Sequence, residues 1–220
     1  MKKKNKTDVR RLTALGLLSA IIAVTAFIPV RTLGLEITLC TVPLALGAAL
    51  FGTFGGAVCG AVFGLISFIQ CFGYSPFGVM MMNVSPVCAF LTCVPTRIAA
   101  GYFAGLFAVL IKKRIKKANG SSSLPELFAC VSAPVLNTVF FMTVMCLCFY
   151  ESDFIRGFAQ TLHAQNVFSF IILFVGINGL VEIIAGIIIA LPVSRALKKA
   201  FKTEKTVGAD LPPDSEDFEI

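Results

Sequence analysis

The sequence predicts an all-α integral membrane protein, a bundle of six transmembrane helices with both termini on the cytoplasmic side. Three observations carry this reading. Hydrophobic residues fill 57% of the 220 positions and charged residues 14%, a balance far more apolar than a soluble domain carries. Apolar runs recur at close to the length that a bilayer core of about 30 Å demands of a helix, about 20 residues. The basic residues collect instead of spreading: 16 of the 19 Lys and Arg fall in three short clusters. The net charge of +7 therefore marks membrane edges and not a nucleic-acid face.

In chain order the apolar runs are 12–29, 40–54, 56–72, 85–111, 126–149 and 167–193. The second and third are short and meet at a tight turn, Phe51 to Gly56. The basic clusters lie before the first run (Lys2, Lys3, Lys4, Lys6, Arg10, Arg11), after the fourth (Lys112, Lys113, Arg114, Lys116, Lys117) and after the sixth (Arg195, Lys198, Lys199, Lys202, Lys205). Short loops rich in Lys and Arg stay cytoplasmic, and an even number of spans returns both termini to that side. The other side holds the sparse, mixed set Arg31, Glu36, Glu151, Asp153, Arg156 and His163. The start also has the outline of a signal peptide, with Val24 to Ala26 as a cleavage site; removing it leaves five spans and separates the basic loops onto opposite sides. The expected organisation is a basic cytoplasmic segment 1–11, a membrane domain 12–193 and a tail 194–220. From Thr203 the tail is polar, with Pro212, Pro213 and four acids in its last seven residues, a composition that predicts disorder. Asn119 to Ser123 reads as a flexible cytoplasmic linker.

Enzymatic chemistry finds no footing. There is no G-x-x-x-x-G-K-[ST] phosphate loop, no H-E-x-x-H, no G-x-S-x-G, and one histidine, His163. The eight cysteines (Cys40, Cys59, Cys71, Cys88, Cys93, Cys130, Cys146, Cys148) sit mostly in apolar runs without a C-x-x-C pair or a nearby histidine. They read as small buried hydrophobes, and neither a metal nor another cofactor is expected.

Ionisable groups at membrane depth are costly and mark functional sites. Arg97, near the centre of the fourth run, and Glu182, just past the centre of the sixth, are the two here. Asn178 stands one helical turn before Glu182, and Asn137 lies near the middle of the fifth run. One reading is a buried Arg97–Glu182 ion pair that sets helix register. The other is a site in which Arg97 receives an anionic solute through its forked donors, with the amides serving its polar groups. Pro86 and Pro95 are expected to interrupt the fourth helix and free carbonyls beside a cavity. The segment Gly73 to Asn83, rich in Gly, Pro, Met and aromatic residues, reads as either a mobile external cap or an ordinary surface loop, and Asn83 completes the expected solute set.

Small residues repeat along helix faces. Gly56, Gly60 and Gly64 recur every four residues and share one face, as do Gly16 with Ala20, Ser19 with Ala23, and Gly101 with Gly105. Such strips serve either internal packing or the docking of a membrane partner.

In this order, the features resemble the substrate-binding S components of energy-coupling factor (ECF) vitamin transporters, particularly their pantothenate-type members. The resemblance covers about 12–200. It is carried by the lysine-rich start and small-residue first span, by Ile37 to Gly52 with Pro43 and Gly47, by Gly56 to Gly64, by Asn83 to Pro86, by Pro95 to Arg97 with Gly101, and by Asn178 with Glu182. It implies a six-helix module in a bacterial plasma membrane that binds a vitamin externally, works with a transmembrane coupling (T) protein and two cytoplasmic ATPases, and tilts to deliver its load. By the same resemblance, Gly16, Ser19, Ala20, Ala23, Gly56, Gly60 and Gly64 are the docking surface, so that Gly60→Leu should block uptake and spare binding; Arg97 and Asn137 are solute ligands. Many relatives carry a histidine where this chain has Cys40 and Thr41. Pantothenate, with a carboxylate, hydroxyls, an amide and a branched apolar end, is the leading solute; biotin and other small carboxylates fit nearly as well. A stand-alone secondary carrier with Glu182 as its proton site, and a structural membrane protein without a ligand, are the rival readings.

Overall fold

The computed structural model describes residues 4–28, 30–32, 35–37, 39–117, 124–149, 152 and 179–197. These form helix α1 (Lys4–Ala26), a hairpin of strands β1 (Val30–Thr32) and β2 (Leu35–Ile37), α2 (Thr41–Gln70), α3 (Pro76–Val84), α4 (Pro86–Lys117), α5 (Leu124–Phe149) and α6 (Gly179–Leu197). The expected helical bundle is present, with one addition. Between α1 and α2 the chain pairs in antiparallel register, Val30 with Ile37 and Thr32 with Leu35. Among the described residues, four helices are long and apolar enough to cross a membrane by length and composition: Thr41–Gln70, Pro86–Ile115, Leu124–Phe149 and Gly179–Leu197. Arg11–Ala26 is a shorter apolar helix. The first residues of the expected sixth span, the linker 119–123, the outer residues Glu151, Asp153, Arg156 and His163, and the tail 198–220 lie outside the described residues.

The second and third runs form one element with a reversal inside it. Gly52 leaves the helical region with φ 67° and ψ −147°, a backbone that L side chains rarely adopt. Eight residues of straight helix separate their ends by about 12 Å, yet a side chain placed on Gly47 would meet the Gly55 carbonyl at 3.0 Å. The chain therefore doubles back at Gly52, so a single residue supplies the turn expected over Phe51 to Gly56. The first arm, 41–51, is enclosed on all sides: Thr41 through Ala49 are all buried. The second arm, 53–70, runs along α4.

That seam has a fixed antiparallel register. Gly52 lies against Gly105, Gly56 against Gly101, Gly60 against the Arg97 carbonyl and Gly64 against Val94. At each step the missing side chain lets one backbone approach the other, the small-residue packing that membrane helices use in place of hydrophobic drive. Gly56, Gly60 and Gly64 are thus consumed by packing within the chain. This removes them from the expected docking surface, because α4 already occupies their face.

At one end of the bundle, Arg11 reaches the Gly52 turn, donating to the Phe51 carbonyl at 3.5 Å and lying 5.1 Å from the Phe54 ring centroid. Gly105 places the exposed Lys112, Lys113 and Arg114 beyond the same turn. At the other end, Gln70 Nε2 donates to the Ala26 carbonyl at 2.7 Å and the Tyr74 hydroxyl to the Phe27 carbonyl at 2.7 Å. These bonds satisfy carbonyls at the end of α1 that its own helix leaves unmatched. The expected cap segment is here the helix α3. Ser75 caps it, its Oγ accepting from the Gly78 N–H at 3.2 Å, and Pro76 occupies its first position. Met81 is buried beneath it.

Candidate solute site around Arg97

Pro86 and Pro95 do less damage to α4 than the sequence suggests. Pro86 is the first residue of the helix, where a missing N–H costs nothing. Pro95 lies within it, and the helix continues to Lys117. Its absent N–H leaves the Leu91 carbonyl without the usual donor. Two residues on, Arg97 folds back along this stretch, and its Nη1 donates to the carbonyls of Thr92 at 3.4 Å and Cys93 at 3.1 Å. The guanidinium carbon lies 4.6 Å from the Phe63 ring centroid, on the second arm of α2, and 5.4 Å from that of Phe141 on α5. Arg97 is 8% exposed, and its Nε has no hydrogen-bonding partner among the described residues. The charge is thus held by carbonyl oxygens and the negative faces of two rings, with a buried donor unspent.

The other polar groups around this cation have unspent capacity too. Asn137 stands one helical turn from Phe141 on α5, and its Oδ1 is buried without a partner among the described residues. Glu182 on α6 is 8% exposed and lies within electrostatic reach of Arg97. Its Oε2 has no partner among the described residues, so that oxygen makes no bond to the guanidinium. One turn further along α6, Gly186 brings that helix against the Cys130 carbonyl of α5 and opens a π-helical turn, Gly186–Ala190, an irregularity frequent at functional sites. Arg97, Asn137 and Glu182 stand on α4, α5 and α6. Asn178 lies outside the described residues. Asn83, on α3, is exposed and is not part of the buried set.

Two further groups escape a reading of the sequence. Thr41 is 2% exposed and its Oγ1 has no hydrogen-bonding partner among the described residues. Leu44, one turn along, packs at Gly101, and Gly101 is one turn from Arg97 on α4, so Thr41 stands at the level of Arg97. Ser132 on α5 has a buried Oγ with no partner among the described residues. Phe63 and Phe141 are invisible as ring partners because the chain holds 21 Phe; only the contact distinguishes these two. The signal for Thr41 was present in its place beside Cys40, where the sequence departs from the pattern it resembles.

Native interiors seldom strand polar atoms, and each one that is stranded calls for a ligand, a water or an ion. Here the stranded set combines a cationic donor, a carboxylate, an amide oxygen and hydroxyls, with phenyl rings beside them. The family model for the substrate-specific component of ECF transporters matches residues 10–194, which takes in every helix that contributes to the set. The chain belongs to that family. A comparison with curated proteins gives no match.

S components are multi-pass membrane subunits of transporters, not enzymes; they bind small substrates and work with a T protein and ATPases. In this S component the remaining small-residue strip is on α1. Leu15, Leu18, Ile22 and Ala26 are buried at helical spacing and turn one face of α1 into the bundle. Gly16 and Ala20 stand exposed on the other side, Ser19 and Ala23 on its flanks. A side chain placed on Gly16 would meet nothing within 4 Å. The two strips expected to act together are thus separated, one spent on internal packing and one open.

Proposed function

We propose that this S component captures a small anionic vitamin, pantothenate foremost, on the external side of the plasma membrane. The observation that carries the proposal is the Arg97 guanidinium, buried between Phe63 and Phe141 with Nε unspent. A carboxylate is the complementary group, since charge-assisted bonds to a forked donor are among the strongest available. Asn137, Asn178 and Glu182 then serve the amide and hydroxyls, and Asn83 adds a contact from α3. The registry reading requires Arg97 and Glu182 to close on each other, and the unpartnered atoms of both residues favour capture instead.

In this reading the two arms of α2 count as two spans, which with α1, α4, α5 and α6 makes six. The end bearing Arg11 and Lys112 to Arg114 faces the cytoplasm, and α3 covers the external opening. The open strip of α1 (Gly16, Ser19, Ala20, Ala23) meets the T protein, which two cytoplasmic ATPases drive. The test is a thermal-shift panel of vitamins on the purified chain. Binding to the native state alone stabilises by about 2.7 kcal/mol at a hundredfold excess over Kd. Pantothenate should raise Tm and cationic thiamin should not; a panel in which no small carboxylate raises Tm contradicts the proposal.

A further inference from the structure

We propose that Cys71 and Cys93 form a redox-responsive dithiol whose closure to a disulfide ties the end of α2 to the turn of α4 that holds Arg97. The two sulfurs lie 3.8 Å apart although the residues are 22 positions apart in the chain, and both residues are thiols. They are 3% and 1% exposed. Ser67 links them further: its carbonyl accepts from Cys71 Sγ at 3.3 Å, and its Oγ donates to Cys93 Sγ at 3.9 Å. The two side chains therefore converge on each other. Helix α3 covers the pair, packing so closely at Gly78 that a side chain there would stand 2.8 Å from Cys71 Sγ. An oxidant reaches the thiols when α3 lifts. On its other side, Cys93 supplies the carbonyl on which Arg97 Nη1 rests at 3.1 Å. Drawing Cys93 toward Cys71 therefore moves an anchor of the guanidinium.

The oxidant is a small organic hydroperoxide, and the electrons balance in two steps. The Cys93 sulfur attacks the terminal peroxide oxygen, the O–O bond breaks, and an alcohol leaves with the thiol proton, giving a sulfenic acid. The Cys71 sulfur then attacks the Cys93 sulfur, the S–O bond breaks, and water leaves with the second proton. Two thiols supply the two electrons that reduce the peroxide.

The linkage itself is independent of the solute; its effect on affinity rests on the pantothenate reading. The full chain in lipid nanodiscs is treated with tert-butyl hydroperoxide, and intact mass, mapped peptides and pantothenate affinity are measured before and after. Expected are the loss of two hydrogen atoms, a peptide joining Cys71 to Cys93, a fall in affinity of at least about tenfold, and recovery with dithiothreitol. Cys71→Ala should bind pantothenate, form no linkage to Cys93 and keep its affinity after the oxidant. Absence of the 71–93 peptide overturns the proposal, as does linkage only between Cys88 and Cys148, whose thiols also meet. A linked chain with unchanged affinity overturns the control of Arg97. If the reduced chain binds no pantothenate, the solute reading fails, and the peptide map still decides the dithiol.

Discussion

A guanidinium at membrane depth is retained at a cost to the fold, and at Arg97 the compensation is incomplete. Two carbonyls accept from Nη1 and two rings face the cation, but Nε is left over. Replacing both members of a buried pair of opposite charges by apolar residues of similar volume is often neutral or stabilising by about 1–4 kcal/mol, whereas removing one of them strands the other. Arg97→Met combined with Glu182→Leu should therefore keep or raise the Tm of the solute-free chain while removing its response to pantothenate. A large fall in Tm would mean that Arg97 serves the fold, as the registry reading has it. The sequence made this residue legible because an arginine inside an apolar run is too costly to sit there without a task. It could not show that Glu182 leaves an oxygen unspent beside it, since their contact depends on how α6 seats on α5 at Gly186 and Cys130.

Between helices, the decisive contact is the seam of the second arm of α2 against α4. Because backbone faces backbone there, an added methyl cannot be accommodated by turning a side chain, and overpacking of this kind costs about 1–3 kcal/mol. Gly60 is the most informative position, since the added carbon would strike the carbonyl of Arg97 itself. Gly60→Ala should lower both Tm and solute affinity, measured by thermal unfolding and calorimetry on the same preparation. A variant with lowered Tm and wild-type affinity would separate the seam from the site. Periodicity revealed the four-residue glycine repeat but not its neighbour, because a small-residue face fits an internal helix and a foreign one equally well. The reversal at Gly52 was legible as a turn, from its glycine-rich setting. Its confinement to one residue was not, for it depends on a single backbone conformation.

Across the whole molecule, the proposed function assigns solute capture to a buried polar level and docking to the exposed strip on α1. The bundle was readable in its apolar runs and basic clusters, since both follow from the physics of a bilayer. The hairpin 30–37 and the helix α3 were less so: their sequences are short, and what orders α3 is a cap from Ser75, a proline start and packing of Phe77 against Phe141, with ring centroids 6.4 Å apart. The open strip gives a prediction at this scale. Gly16→Leu adds a side chain where nothing among the described residues lies within 4 Å of the new carbon, so Tm and pantothenate affinity should stay as they are while uptake and co-purification of the T protein fall. Unchanged uptake would place the partner on another face.

Titration calorimetry of pantothenate into the purified wild-type chain and into Arg97→Ala is the most direct test of an arginine-centred solute site. Loss of a charge-assisted pair worth about 1.5–3 kcal/mol per bond predicts that affinity drops by about a hundredfold or more, with Arg97→Lys in between because it keeps the charge but not the fork. Equal affinities for the wild type and Arg97→Ala would contradict the account.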